Sequence, residues 1–152
     1  MTVYQIKKVN ETNWRDICAL KVASSQTEYI ESNATSLLEA AYDEKFDWSP
    51  YALYFGETMI GFAMIGAFRP EERYIWLDRF MIDTNYQGLG YSKPLLKQLL
   101  HFIKDHWSVD EIVLSLEANN TVAMTIYKQI GFHLNGMTDS NGEKLMVYSF
   151  VS

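Results

Sequence analysis

The segment Asn85-Tyr-Gln-Gly-Leu-Gly-Tyr-Ser-Lys-Pro94 decides how this chain is read. Before it runs Tyr74 to Ile82, an alternating stretch rich in aromatic and β-branched residues that predicts a strand. After it Leu95, Leu96, Leu99, Leu100, Ile103 and Trp107 recur on one helical face. A strand that turns through Gly88 and Gly90 into a helix with Pro94 in its first turn presents backbone N–H groups at the positive end of a helix dipole. That arrangement suits an anion. Glycine at both positions lets the backbone approach a diphosphate, where a Cβ would block the contact or forbid the required φ. The spacing is not GxGxxG and no Gly-Lys-Ser/Thr occurs, so neither a Rossmann dinucleotide site nor a Walker loop is supported. Lys93 and Lys97 add positive charge nearby. On these residues alone a plain glycine turn reads equally well.

Working outward, Val3 to Lys8 reads as an edge strand, and Trp14, Ile17, Cys18 and Val22 share one helical face. Ser36-Leu-Leu-Glu39 has capping-box spacing and opens a second helix through Tyr42. Tyr51 to Phe55 and Met59 to Phe68, joined by Gly56-Glu-Thr, predict a hairpin. Glu111 to Glu117 reads as a strand and Thr121 to Ile130 as a helix closed by Gly131. Two strands follow, Phe132 to Asn135 and Lys144 to Phe150, through a turn containing Asn141-Gly142. The pattern predicts a mixed α/β (α+β) domain with a largely antiparallel sheet. Residues 1–152 form one domain on this reading, with no repeat and no linker.

The chain has 152 residues, 13 Lys and Arg against 19 Asp and Glu, and a net charge of −6. An acidic balance argues against electrostatically driven nucleic-acid binding and suits a cationic ligand. The lone cysteine, Cys18, leaves no disulfide framework and no multi-cysteine zinc site, and points to the cytoplasm. His101, His106 and His133 have no metal-ligand spacing, so no metal is expected. No signal peptide and no membrane span is read from the sequence.

Asn85-x-x-Gly88-x-Gly90 resembles motif A of the GNAT superfamily of N-acetyltransferases, and Asn120-x-x-Ala123-x-x-x-Tyr127-x-x-x-Gly131-Phe132 resembles its second cofactor segment. Asn85 stands where that motif has Arg or Gln. Ser92 stands where many members carry a third glycine, and before Lys93-Pro94 it suits a helix N-cap. More narrowly, Trp76-Leu-Asp-Arg-Phe-Met-Ile82, Asn135-Gly136 and Asn141-Gly-Glu-Lys-Leu-Met146 resemble bacterial spermine/spermidine acetyltransferases. The resemblance implies seven strands and four helices around a V-shaped split between two parallel strands. It implies acetyl-CoA as co-substrate, held by Gln87, Gly88, Leu89, Gly90, Tyr91, Ser92, Lys93, Asn120, Ala123 and Tyr127. Backbone groups of Phe80, Met81 and Ile82 would pair with the pantetheine arm, one of them facing the thioester carbonyl. A homodimer is among the assemblies it admits.

Acetyl transfer to an amine needs a neutral nucleophile, a stabilised oxyanion and a proton for the departing thiolate. A primary amine of pKa near 10.4 is neutral about once in 2,500 molecules at pH 7, a penalty of roughly 4.6 kcal/mol. Asp78 lies on the strand that enters the glycine loop, where alternation places Trp76, Asp78, Phe80 and Ile82 on one face. It is either the base or a carboxylate that pairs with an arginine or binds an ammonium. The resemblance makes Tyr127 the general acid. With ordinary pKa values of about 10 for a phenol and 8.5 for a thiol, that transfer is uphill by roughly 2 kcal/mol. An ordinary core tyrosine is the other reading of that position.

Between Glu28 and Asp47 the chain carries six carboxylates, Glu28, Glu31, Glu39, Asp43, Glu44 and Asp47, against Lys45. The resemblance places this stretch beside the acceptor. Glu28 and Glu31, with Trp48 and Asp78, are therefore expected to bind a polyamine such as spermine or spermidine. A solvated acidic face is the alternative. Acetylation of another amine (an aminoglycoside, an amino acid or a protein terminus) and a non-catalytic coenzyme A-binding protein are the rival functions.

Overall fold

The computed structural model describes residues 3–22 and 32–150. In chain order the elements are β1 (Tyr4–Lys8), α1 (Trp14–Ala19), α2 (Asn33–Tyr42), β2 (Ser49–Phe55), β3 (Thr58–Arg69) and β4 (Tyr74–Ile82). Then come α3 (Ser92–His106), β5 (Glu111–Leu116), α4 (Thr121–Ile130), β6 (His133–Thr138) and β7 (Lys144–Ser149). The seven strands form one sheet in the order β1-β2-β3-β4-β5-β7-β6. All neighbours are antiparallel except β4 and β5. The mixed, mostly antiparallel sheet with four helices predicted above is therefore what forms.

The alternation along the central strands builds a core on each face of the sheet. Ile60, Ala63 and Ile65 of β3, with Ile75 and Leu77 of β4, face α3, whose Leu95, Leu96, Leu99, Leu100 and Ile103 are buried. Each such side chain contributes about 1.5–3 kcal/mol by leaving water, so burial rather than helix propensity holds α3 in place. On the other face Phe62, Met64 and Met81 pack with Ile17 of α1 and with Leu37 and Ala40 of α2.

β4 changes face midway. Its pairing with β3 runs Met64 to Arg79 and then Ile65 to Leu77, so Asp78 is an extra, bulged residue. Before the bulge the odd-numbered Ile75 and Leu77 join the α3-side core. After it the even-numbered Ile82 joins that core with Phe80 packed against it, while Met81 turns to the α1/α2 side. The expected shared face of Trp76, Asp78, Phe80 and Ile82 is thus broken. The inserted residue shifts the two-residue period by one and leaves Trp76 opposite Phe80 and Ile82.

β4 and β5 pair at Tyr74–Glu111, Ile75–Ile112 and Trp76–Val113 and then part. Their joined ends are pinned by Arg73, whose carbonyl accepts the N–H groups of Asp110 at 2.8 Å and Glu111 at 3.2 Å. Its guanidinium also grips both oxygens of Asp110 at 2.9 and 3.1 Å. That contact raises the Arg73 pKa and lowers that of Asp110.

Three local expectations shift. α1 ends at Ala19, and Leu20 is extended at ψ 140°, so Val22 lies beyond the helix. α2 starts at Asn33, because Ser32 is its cap and accepts the Thr35 N–H at 3.2 Å. Ser36 is instead buried inside that helix and donates to the Ser32 carbonyl at 3.4 Å. At α3 the cap position belongs to Tyr91, without a side-chain capping bond, and Ser92 is the first helical residue. Among the described residues no helix is long and apolar enough to cross a membrane.

β3 crosses β4 closely at Gly61, where an added Cβ would sit 2.5 Å from the Met81 carbonyl oxygen. Backbone cannot yield as a side-chain tip can. Gly61→Ala is expected to cost about 1–3 kcal/mol of stability, measured as a lower urea midpoint at unchanged slope.

Candidate active site

Where β4 and β5 separate, a cleft of about 710 Å³ opens between them. β4 contributes Asp78, Arg79, Phe80, Met81 and Ile82, and the turn and first helical residues after it contribute Gln87, Gly88, Gly90, Ser92 and Lys93. Across the gap stand Ser115 and Leu116 of β5 and Asn120, Val122, Ala123, Ile126 and Tyr127 at and within α4. The cofactor-side residues expected from sequence thus converge on one cavity, with two exceptions. The Leu89 side chain is 63% exposed. Tyr91 packs its ring among Tyr4, Phe55 and Tyr86.

The glycine turn has the geometry an anion requires. Gly88 and Gly90 have φ of +76° and +86°, in the left-handed region, and a Cβ at either would meet no atom within 4 Å. Backbone conformation and the empty space in front of it, not packing, therefore fix glycine here. Among the described residues the N–H groups of Gly88, Gly90 and Tyr91 donate to no protein acceptor. Unengaged N–H groups at the start of a 15-residue helix are a donor array of the kind that suits phosphate oxygens. Gln87 braces the turn by donating Nε2 to the Ile82 carbonyl at 2.8 Å.

Tyr127 projects from α4, which Gly131 ends at φ 128°. Its ring makes an edge contact with Phe132 at 5.5 Å, and its carbonyl accepts the N–H groups of Gly131 and Phe132. No described residue hydrogen-bonds its hydroxyl. Burial raises its phenol pKa well above the ordinary value near 10, so the group enters the cleft as a neutral donor.

Asp78 pairs with the Arg79 guanidinium, which also reaches Glu39 of α2 at 3.6 Å. Of the roles the sequence left open for Asp78, the arginine-paired carboxylate is the one seen. Trp48 packs on Phe46 at 5.5 Å and over Gly66, within the α1/α2 core and not in the cleft lining. Glu28 and Glu31 lie outside the described residues.

The sequence reading missed the rim formed by Asp139, Asn141 and Glu143, from the turn between β6 and β7. Glu143 accepts the Ser115 hydroxyl at 3.0 Å across to β5. Asp139 accepts the N–H groups of Asn141 and Glu143 at 2.9 Å each. The Asn141-Gly142 turn was legible, but its place over the cleft depends on β7 pairing with β5, which no local pattern reveals. Val22 was also missed and lines the cleft because α1 stops before it.

Comparison with known proteins agrees with this geometry. The model of the acetyltransferase (GNAT) family matches residues 14–132. The spermine/spermidine N(1)-acetyltransferase of Bacillus subtilis is 39% identical over 147 residues, covering 93% of this chain and 95% of that protein. Among solved structures, the spermidine N-acetyltransferase of Vibrio cholerae in complex with CoA and spermine superposes with a TM-score of 0.76 at 16% identity, over 97% of this chain and 95% of that one. An aminoglycoside acetyltransferase bound to coenzyme A gives 0.80, also at 16% identity and over the same shares. At such identities these two structures establish the shared fold.

The raised Tyr127 pKa has a direct optical consequence. Difference titrations at the phenolate band of the parent and of Tyr127→Phe are expected to superimpose up to about pH 11. A phenol lost from the titration curve near pH 10 in the variant would show that the hydroxyl is not shielded.

Proposed function

The chain belongs to the acetyltransferase (GNAT) family, and on that footing we propose that it moves the acetyl group of acetyl-CoA to a primary amine of a polyamine such as spermine or spermidine. The chain is an acetyl-CoA-dependent N-acetyltransferase. One observation carries its chemistry: the unengaged N–H groups of the glycine turn and the unpartnered Tyr127 hydroxyl open onto one cleft. The polyamine acceptor is supported by the Bacillus relative and by three carboxylates, Asp78, Asp139 and Glu143, that line the same cleft.

Acetyl-CoA supplies an activated acyl thioester. The turn Gly88 to Tyr91 holds its phosphates through backbone N–H groups, with Lys93 adding charge, and Asn120 and Ala123 shape the facing wall. The β4 edge from Phe80 to Ile82, which β5 no longer covers, offers peptide groups to an extended arm and a donor to the reacting carbonyl. Tyr127 donates its proton, in whole or as a hydrogen bond, to the departing sulfur. Its raised pKa makes full transfer costlier than the roughly 2 kcal/mol that ordinary pKa values give, so the hydrogen bond carries much of the stabilisation.

Asp78 serves here as an amine-orienting carboxylate. Its carboxylate is already engaged by the Arg79 guanidinium, which favours an orienting role over proton transfer. The amine therefore reaches the thioester after losing its proton to water. Substrate ammonium groups are met by Asp78, Asp139 and Glu143, and by Glu28 and Glu31 as the sequence suggested.

A thiol-release screen with acetyl-CoA against spermine, spermidine, putrescine, lysine and aminoglycosides tests the acceptor. The highest kcat/KM is expected on spermine or spermidine, and a flat profile across polyamines would favour another amine. Tyr127→Phe is expected to lower kcat by about 10²–10³, with the spermine KM within about threefold. Finally, log kcat/KM should rise with pH up to the amine's own pKa in both the parent and Asp78→Asn. A flattened acid limb in Asp78→Asn would restore Asp78 as the base.

A further inference from the structure

Among the described Asp, Glu, Lys, Arg and His residues, Asp83 alone is buried, at 6% exposure. It makes no ion pair with any of them. A buried carboxylate is costly unless backbone or side-chain donors satisfy it, and here backbone does. Oδ1 accepts the Lys21 N–H at 2.7 Å, and Oδ2 accepts the Asn85 N–H at 3.2 Å. The next residue returns the grip, since the Thr84 N–H donates to the Lys21 carbonyl at 2.6 Å. The Asp83 N–H itself is fixed on the Ile60 carbonyl of β3 at 2.8 Å. One residue of the chain leaving α1, Lys21, is thus clamped at both its backbone N–H and its carbonyl by two consecutive residues that lie 62 and 63 positions further along.

The clamp joins two parts of the cleft. On one side Lys21 leads directly into Val22, which lines the cleft and packs against the α1/α2-side cluster that includes Met81 of β4. On the other, Ile82 accepts the Gln87 side chain that braces the glycine turn. Residues 82–84 therefore fix the Val22 wall and the phosphate cradle to the same strand end. The side chain of Asp83 does not line the cleft, so its effect on any ligand is indirect.

We propose that Asp83 is a positioning residue for the acceptor: by clamping Lys21 it sets the Val22 wall against Phe80 to Ile82, and so fixes where the amine rests relative to the acyl carbonyl. The inference rests on the acetyl-transfer reading above and extends it to a residue outside the cleft. A misplaced wall alters how the amine is held, while the cradle for coenzyme A keeps its own brace, the Gln87 side chain on the Ile82 carbonyl, which involves neither Asp83 nor Lys21.

Two variants test this. Asp83→Asn puts an amide N–H₂ where an acceptor is needed. Thr84→Pro removes the N–H that grips Lys21 and keeps the Asp83 carboxylate. Proline is tolerated there because Thr84 opens a 3₁₀ turn and Asp83 before it is extended at ψ 142°. In both, the Lys21 amide should exchange with solvent at least tenfold faster, and KM for the amine should rise at least fivefold. The coenzyme A Kd should stay within twofold. An amine KM within twofold of the parent in a folded Thr84→Pro protein overturns the proposal, as does a coenzyme A Kd that rises in step with KM. KM is read on whichever amine the parent acetylates in the screen, so rejection of polyamines would refute the acceptor assignment and leave this test intact.

Discussion

The whole molecule turns on the parting of β4 from β5. Three residue pairs hold the strands together, and the Arg73–Asp110 contact and the Arg73 carbonyl pin their start. Beyond Trp76 no strand among the described residues covers the β4 edge, and a sheet that is otherwise continuous from β1 to β6 contains a gap. The bulge at Asp78 sits just past that point, and bulges locally increase twist and bend a strand. It also re-aims the strand: Phe80 and Ile82 turn toward the α3-side core, while Arg79 turns toward Glu39 on α2. Site and fold share one cause, because the irregularity that breaks the alternation also brings Asp78 and Arg79 to the cleft.

Charge in the cleft is organised by pairing more than by number. Asp78 is matched by Arg79, and Glu143 is braced by the Ser115 hydroxyl. Asp139 commits one oxygen to two backbone N–H groups and keeps the other. In the proposed function, carboxylates fixed in this way would lose little freedom when an ammonium arrives, whereas flexible surface acids would have to be ordered at that moment. The acidic net charge of the chain describes none of this. It is the placing of three carboxylates by two separate backbone segments, β4 and the turn between β6 and β7, that matters.

Much of the fold was legible because its signals are local. The period of the α3 stripe, the Gly131 stop, and the alternation of β5 and β7 lie within a few residues of the elements they define. The glycine turn and Tyr127 stood out as short spaced motifs through their resemblance to the family, and both line the cleft. What escaped depends on distant partners. The Asp78 bulge exists only in register with β3, so strict alternation misassigned Trp76. Ser36-Leu-Leu-Glu39 has capping-box spacing, yet Ser32 takes the cap and Glu39 is drawn to Arg79, forty positions away. Trp48, an apparent cleft aromatic, fills the space that Gly66 leaves by having no side chain. The Asp139–Glu143 rim needs β7 beside β5 before it faces anything.

The uncovered edge of β4 has a further meaning. An edge strand within a sheet is a row of peptide groups seeking partners, and here that row lies inside the molecule, facing a cavity. A ligand with amides of its own that lies along it takes the place of a missing strand and joins the two halves of the sheet. Its binding is then also a folding contribution, growing by the logarithm of ligand concentration over Kd. The resistance of this protein to unfolding would follow the supply of acyl carrier around it, so that a cell short of that carrier would hold the enzyme in its least durable form.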